Sequence, residues 1–127
     1  MAKPGDIVLI DFPFTNLAAG KLRPALVVAD AFDSDFVFAR ITSQPKSDRT
    51  DVFVSEWEAI GLRLPSWIQL SKLVTIEGSK VHRVVSALSA KDATTVGRVL
   101  TAFVAENWPD PNAEPTGDEV RPLDSPE

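Results

Sequence analysis

Lys21-Leu22-Arg23-Pro24-Ala25-Leu26-Val27-Val28 drives an arginine into the mouth of a strand that is otherwise wholly apolar. An apolar run of five bounded by a loop reads as a strand buried on both faces. Pro24 suits only the start of such a strand, because it cannot donate to the ladder. Arg23 therefore holds a planar guanidinium at a partly desolvated strand end, a placement fitted to meeting an anion. Further on, Phe36-Val37-Phe38-Ala39-Arg40-Ile41 reads as a second strand, and it runs directly into Thr42-Ser43-Gln44. Two strand ends thus present a charge, two hydroxyls and an amide.

Outward from this pair, Ile7 to Ile10 with Phe12 form an earlier strand, followed by a loop of breakers and small residues over 13–20 that is expected to be mobile. Asp30, Asp33, Ser34 and Asp35 mark an acidic turn between the two central strands. A polar loop, Gln44 to Arg49, precedes an alternating strand over Asp51 to Val54. Glu56 to Ile60 reads as a turn of helix closed by Gly61. Trp67 to Leu70, Leu73 to Ile76 and Val81 to Leu88 bring the total to between five and seven short strands. Such spacing predicts a small antiparallel barrel or a curled sheet. One helix follows. Ser89 is its N-cap with Asp92 in the first turn, and Val96, Val99, Leu100, Phe103 and Val104 recur on one stripe. Residues 1–108 are read as one domain. Residues 109–127 hold too little apolar content to offset ordering entropy and are read as a flexible acidic tail.

The 127 residues include no cysteine, which removes disulfides, thiolate metal ligands and thiol nucleophiles. The opening residues lack an apolar core of a signal segment and no run approaches a membrane span, so a cytoplasmic protein is expected. From Ala105 onward seven acids face one base, a balance of −6, so the −5 of the whole chain leaves +1 for residues 1–104. The acidity belongs to the tail, and the body remains able to attract a polyanion.

Several chemistries are excluded by count. A single histidine, His82, cannot supply a pair of imidazoles, and its alternating neighbours place it toward solvent. Asp30, Asp33 and Asp35 lack the glycine and distal glutamate of a calcium loop, so no metal and no cofactor are proposed. No nucleophile elbow or phosphate-binding glycine loop occurs. A reaction whose nucleophile belongs to the substrate remains, and RNA carries one in its 2′-hydroxyl. For Arg23 the simpler alternative is a salt bridge to Asp11 or Asp30; for Thr42 and Ser43 it is a hydroxyl closing a turn.

Lys3-Pro4-Gly5-Asp6-Ile7-Val8-Leu9-Ile10-Asp11-Phe12, then Arg23-Pro24-Ala25-Leu26-Val27-Val28, then Ile41-Thr42-Ser43-Gln44, and Leu70-Ser71-Lys72-Leu73-Val74-Thr75-Ile76 together resemble the MazF/PemK family of toxin endoribonucleases. The likeness spans roughly residues 3–104. It implies an SH3-like barrel with a C-terminal helix, acting as a homodimer that cleaves single-stranded messenger RNA without a metal. It further implies attack of the 2′-hydroxyl on the neighbouring phosphorus to leave a 2′,3′-cyclic phosphate and a 5′-hydroxyl. A cognate antitoxin would silence it, and that complex would bind DNA. By this resemblance Arg23 and Thr42 fall on the catalytic positions. Phe14, Asn16 and Lys21 lie in the loop that borders the RNA groove, and Ser43, Gln44, Lys46 and Lys72 are further substrate contacts. Two positions depart from the pattern: Val8 stands where many relatives carry tryptophan, and Ala18-Ala19 replace an acidic or amide residue before the loop glycine. A non-enzymatic toxin of the CcdB kind, or an RNA- or protein-binding module on the same fold, is the alternative.

Overall fold

The computed structural model describes residues 2–11 and 22–112. Six antiparallel strands form one sheet: β1 (Asp6–Ile10), β2 (Arg23–Phe32), β3 (Asp35–Thr42), β4 (Asp51–Phe53), β5 (Trp67–Glu77) and β6 (Arg83–Ala87), followed by a helix, α1 (Ala90–Asn107). Their spatial order is β4-β5-β3-β2-β1-β6. The mainly β class with one closing helix matches the expectation. The barrel, however, is not closed, because β4 pairs only with β5 and β6 only with β1. β4 is three residues long, and α1 packs against it, so the two edges never meet.

Local chemistry explains the entry into β1. Lys3-Pro4-Gly5-Asp6 is a type II turn: Pro4 presets φ, Gly5 takes φ +95°, and the Asp6 N–H donates to the Lys3 carbonyl at 3.0 Å. The Asp6 carboxylate, itself buried, accepts from the Lys3 N–H at 3.0 Å. Gly5 then ties three strands together. Its N–H donates to Val27 at 2.9 Å and its carbonyl accepts from Leu88 at 2.9 Å.

The central hairpin is longer than the sequence suggests. β2 runs through Phe32 and β3 begins at Asp35, leaving Asp33-Ser34 as the turn, both at positive φ, as is Phe32. This is the geometry that a two-residue hairpin turn demands. Trp67–Leu70 and Leu73–Ile76 are one strand and not two. Ala39 pairs with Leu73 and Arg40 with Gln69, so residues 70–72 bulge from the β3 ladder without ending it. The last strand is also shorter than expected, since Gly78–Lys80 form a 3₁₀ turn and Val81 and His82 precede β6.

The 56–61 segment is one turn, as expected, with the Ile60 N–H donating to the Glu56 carbonyl at 3.1 Å in the helical i to i+4 pattern. It ends in a Schellman cap, in which the Leu62 N–H reaches the Trp57 carbonyl at 2.9 Å and the Gly61 N–H reaches Glu58 at 3.1 Å, with Gly61 at φ +93°. Leu62 and Trp57 both pack onto the core, which supplies the apolar contact of that motif.

Both faces of the sheet are buried. On one, Ile7, Leu26, Ile41, Val52, Ile68 and Leu70 meet Val96, with Val99 and Leu100 of α1 packed beside them. On the other, Val8, Ile10, Ala25, Val27 and Phe38 are enclosed by Phe36, Val74, Ile76 and Val81, because the long β5 folds the sheet over itself. The apolar stripe of α1 is shorter than its periodicity indicates: Val104 is 52% exposed.

Ser89 caps α1 as expected, accepting from the Asp92 N–H at 3.2 Å. Asp92 is 3% exposed and accepts from the Ser55 hydroxyl at 2.8 Å and the Glu56 N–H at 3.3 Å. It thereby pins α1 to the segment that carries the 56–61 turn. Asp92→Ala strands two donors near the core and is expected to cost about 2 kcal/mol. Urea titration checks this through a lower midpoint at unchanged m-value.

Candidate nucleic-acid interface

Register alone brings Arg23 and Thr42 together. Ala25 pairs with Arg40 across β2 and β3, and continuing that ladder by two residues sets Arg23 opposite Thr42. Opposed residues hold their Cβ atoms about 5 Å apart. Arg40, two residues before Thr42, stands on the same face. Leu9 pairs with Pro24 on one side and Arg83 on the other, so Arg83 lines up with Pro24, one residue along from Arg23 and on the other face of the strands.

A groove of about 1030 Å³ opens over these strand ends. Arg23, Arg40, Thr42, Ser43, Gln44 and Ser66 supply polar walls, and Leu9, Leu62 and Leu64 supply apolar ones. Arg63 and Arg83 complete it. Four guanidinium groups thus line one groove with no carboxylate among its described lining residues. Among the described residues none of the four makes an ion pair, so the salt bridge from Arg23 to Asp11 or Asp30 does not form.

Arg23 is the most informative of them. Its Nε is buried and has no hydrogen-bond partner among the described residues. A buried donor left unmade costs about 1–3 kcal/mol, and an anion entering the groove would satisfy it. Thr42 does close a turn, since its Oγ1 accepts from the Gln44 N–H at 3.2 Å. That bond occupies a lone pair and fixes the oxygen while leaving the hydroxyl proton to be donated. The arrangement can clamp an oxyanion between a charge and an oriented hydroxyl.

Ser43 and Gln44 also line the groove, whereas Lys46 and Lys72 do not. Lys46 lies on the exposed loop after Gln44, and Lys72 sits in the β5 bulge. Phe14, Asn16 and Lys21 fall outside the described residues. His82 is exposed, its N–H bonded to the Leu9 carbonyl at 2.9 Å. Among the described residues no cluster of three His, Cys, Asp or Glu side chains could hold a metal ion. No helix of the described residues is long and apolar enough to cross a membrane.

Arg40, Arg63 and Arg83 escape the sequence reading. Arg40 was detectable, because a residue two before Thr42 on a strand shares its face. Arg63 and Arg83 reach the groove only through non-local packing. A smaller cleft of about 500 Å³ lies between α1 and the start of β4, where Arg49 is ion-paired with Glu106. Arg98 lines it as well.

The family model described as PemK-like, MazF-like toxin of type II toxin-antitoxin system matches residues 3–104. No curated protein matches the chain. Among solved structures, an endoribonuclease in complex with its cognate antitoxin from a mycobacterial species is 15% identical, with a TM-score of 0.65 over 86% of this chain and 100% of that one. The Mycobacterium tuberculosis toxin MazF-mt6 is 20% identical, with a TM-score of 0.64 over 81% and 99%. A MazE-MazF structure from Deinococcus radiodurans is 17% identical, with a TM-score of 0.64 over 81% and 94%.

Proposed function

Because the chain belongs to the PemK-like, MazF-like toxins of type II toxin-antitoxin systems, we propose that its arginine-lined groove binds single-stranded RNA and cleaves it by transesterification. The observation that carries the reading is the buried Nε of Arg23, unpartnered among the described residues, in the same groove as an oriented Thr42 hydroxyl and with no carboxylate among the described lining residues. Structural neighbours named as endoribonucleases agree with it.

In this reaction the 2′-oxygen forms a bond to phosphorus and its proton passes to water. The bond from phosphorus to the 5′-oxygen breaks, and that oxygen takes up a proton. A 2′,3′-cyclic phosphate and a 5′-hydroxyl result. Arg23 donates to a non-bridging oxygen, offsets the charge that grows there, and stands ready to share a proton with the leaving oxygen. Thr42 donates to the same phosphate and orients it for in-line attack. The nucleophile is the substrate's own, and guanidinium supplies the charge, so the reaction proceeds in EDTA. Ser43 and Gln44 offer groups to a base edge, and Leu62 and Leu64 offer apolar surface to its face. Phe14, Asn16, Lys21, Lys46 and Lys72 are proposed as further contacts to the RNA strand.

The protein acts in the cytoplasm as a homodimer and is silenced by a cognate antitoxin, a proposal supported by the antitoxin complexes among its structural neighbours. A protein-binding role on the same fold draws on Val104 and Trp108, exposed at the end of α1. It leaves the orphaned guanidiniums of the groove without a purpose.

Mixed-sequence single-stranded RNA and its DNA copy, incubated with the pure protein in EDTA, test the reading. RNA is cut and DNA is not. Thr42→Val retains the shape and slows single-turnover cleavage by about 10²-fold, the scale of one lost oxyanion donor. Failure to cut any RNA overturns the reading.

A further inference from the structure

The proposed reaction uses Arg23 and Thr42, with Arg40 beside them, yet the groove holds two more guanidiniums from other parts of the chain. Arg83 stands on β6, with β1 between it and β2. Two strand spacings, about 9.5 Å, therefore separate its backbone from that of Pro24. Arg63 comes from a second wall, the loop immediately after the Gly61 cap and Leu62, whose side chain is packed on the core. The two walls are fastened to one another, because the Ser86 hydroxyl of β6 donates to the Ile60 carbonyl of the 56–61 turn. Arg63 and Arg83 are both exposed, line the groove, and their guanidinium groups make no hydrogen bond or ion pair among the described residues. Unpaired cations sharing one groove repel one another and favour anions bound beside them.

We infer that Arg63 and Arg83 form phosphate subsites flanking the cleavage position, so that the groove recognises an RNA strand through at least three consecutive phosphates. This rests on the RNA reading of the same groove. The subsites select length and hold register, while Arg23 and Thr42 act on the reacting phosphate. Positioning of this kind lowers KM for a longer strand and leaves a dinucleotide, which has one phosphate, with little to gain.

Two measurements separate the possibilities. In the first, cleavage of a dinucleotide and a heptanucleotide sharing the same scissile step is compared for the native chain, Arg63→Ala and Arg83→Ala. Each substitution is expected to reduce kcat/KM for the heptanucleotide by about tenfold more than for the dinucleotide, mainly through KM, as loss of one charge-assisted contact implies. Equal losses on both lengths overturn the inference, as does no loss on either. In the second, the heptanucleotide carries a 2′-deoxy sugar at the scissile step and its binding is followed against salt. The slope of log K against log salt is expected to fall by about 0.7 for each arginine removed, the single-strand value per phosphate. An unchanged slope overturns the subsites even if cleavage occurs. If the substitutions weaken capture of a poly-glutamate peptide and leave the RNA slope intact, the arginines serve an acidic protein segment and the inference falls. Because the second measurement needs no cleavage, a chain that binds with the expected slopes yet cuts nothing would refute the proposed reaction and keep the subsites.

Discussion

Arg23→Ala is expected to lower kcat/KM for RNA cleavage by about 10³-fold, equivalent to about 4 kcal/mol of transition-state stabilisation. Among the described residues Arg23 is the only groove arginine with a buried Nε lacking a partner, and it lines the same groove as Thr42. Its removal deletes a charge from the point where charge develops. It also relieves an unsatisfied buried donor, so the folded chain should lose little stability and its melting temperature should stay within a few degrees. That combination separates a chemical role from a structural one. Arg23→Lys restores charge but not the planar fork, and is expected to recover only a minor part of the activity. A salt-bridging arginine would behave in the opposite sense, with stability falling and cleavage following it.

Phe38→Ala is expected to cost about 3–5 kcal/mol, with a melting temperature lower by roughly 10–20 °C. Phe38 is fully buried and is among the largest enclosed side chains. It pairs with Val27 on one side and Val74 on the other and lies against the Phe36 ring at 6.2 Å between centroids. No helix covers this face. The cavity would therefore open where β5 folds back, and β3 would loosen on the face it shares with Arg40 and Thr42. Phe38→Leu leaves most of the volume filled and should cost a fraction of that. Calorimetry on the three proteins orders them native, Leu, Ala. Cleavage measured well below each midpoint should fall more for Ala than its unfolded fraction explains, since the groove depends on the strand ends being held in place.

Much of the fold is legible in local chemistry. Lys3-Pro4-Gly5-Asp6 announces its turn, Arg23-Pro24 announces a strand entrance, Ser89 with Asp92 announces a helix start, and each forms where its residues require. The candidate pair Arg23 and Thr42 was legible too, because both stand at strand ends and antiparallel pairing sets such ends side by side. What escaped is non-local. Ser71-Lys72 reads as a break between two strands, but a bulge lets β5 pass through those polar residues. Arg63 and Arg83 look like ordinary surface until β1 is seen to lie between β2 and β6, and until Ser86 is seen to fasten the 56–61 turn. Short, evenly spaced strands fit a barrel and a curled sheet alike, because they do not reveal whether the two edge strands will find one another.

The central claim is that this groove cleaves RNA through the substrate's own 2′-hydroxyl, with guanidinium charge at the phosphate. The most direct measurement is the chemistry of the product ends after cleavage of single-stranded RNA in EDTA, read by mass spectrometry. The account predicts a 2′,3′-cyclic phosphate on one fragment and a 5′-hydroxyl on the other. A 5′-phosphate paired with a 3′-hydroxyl, or cutting that begins only when a divalent metal is restored, would contradict it.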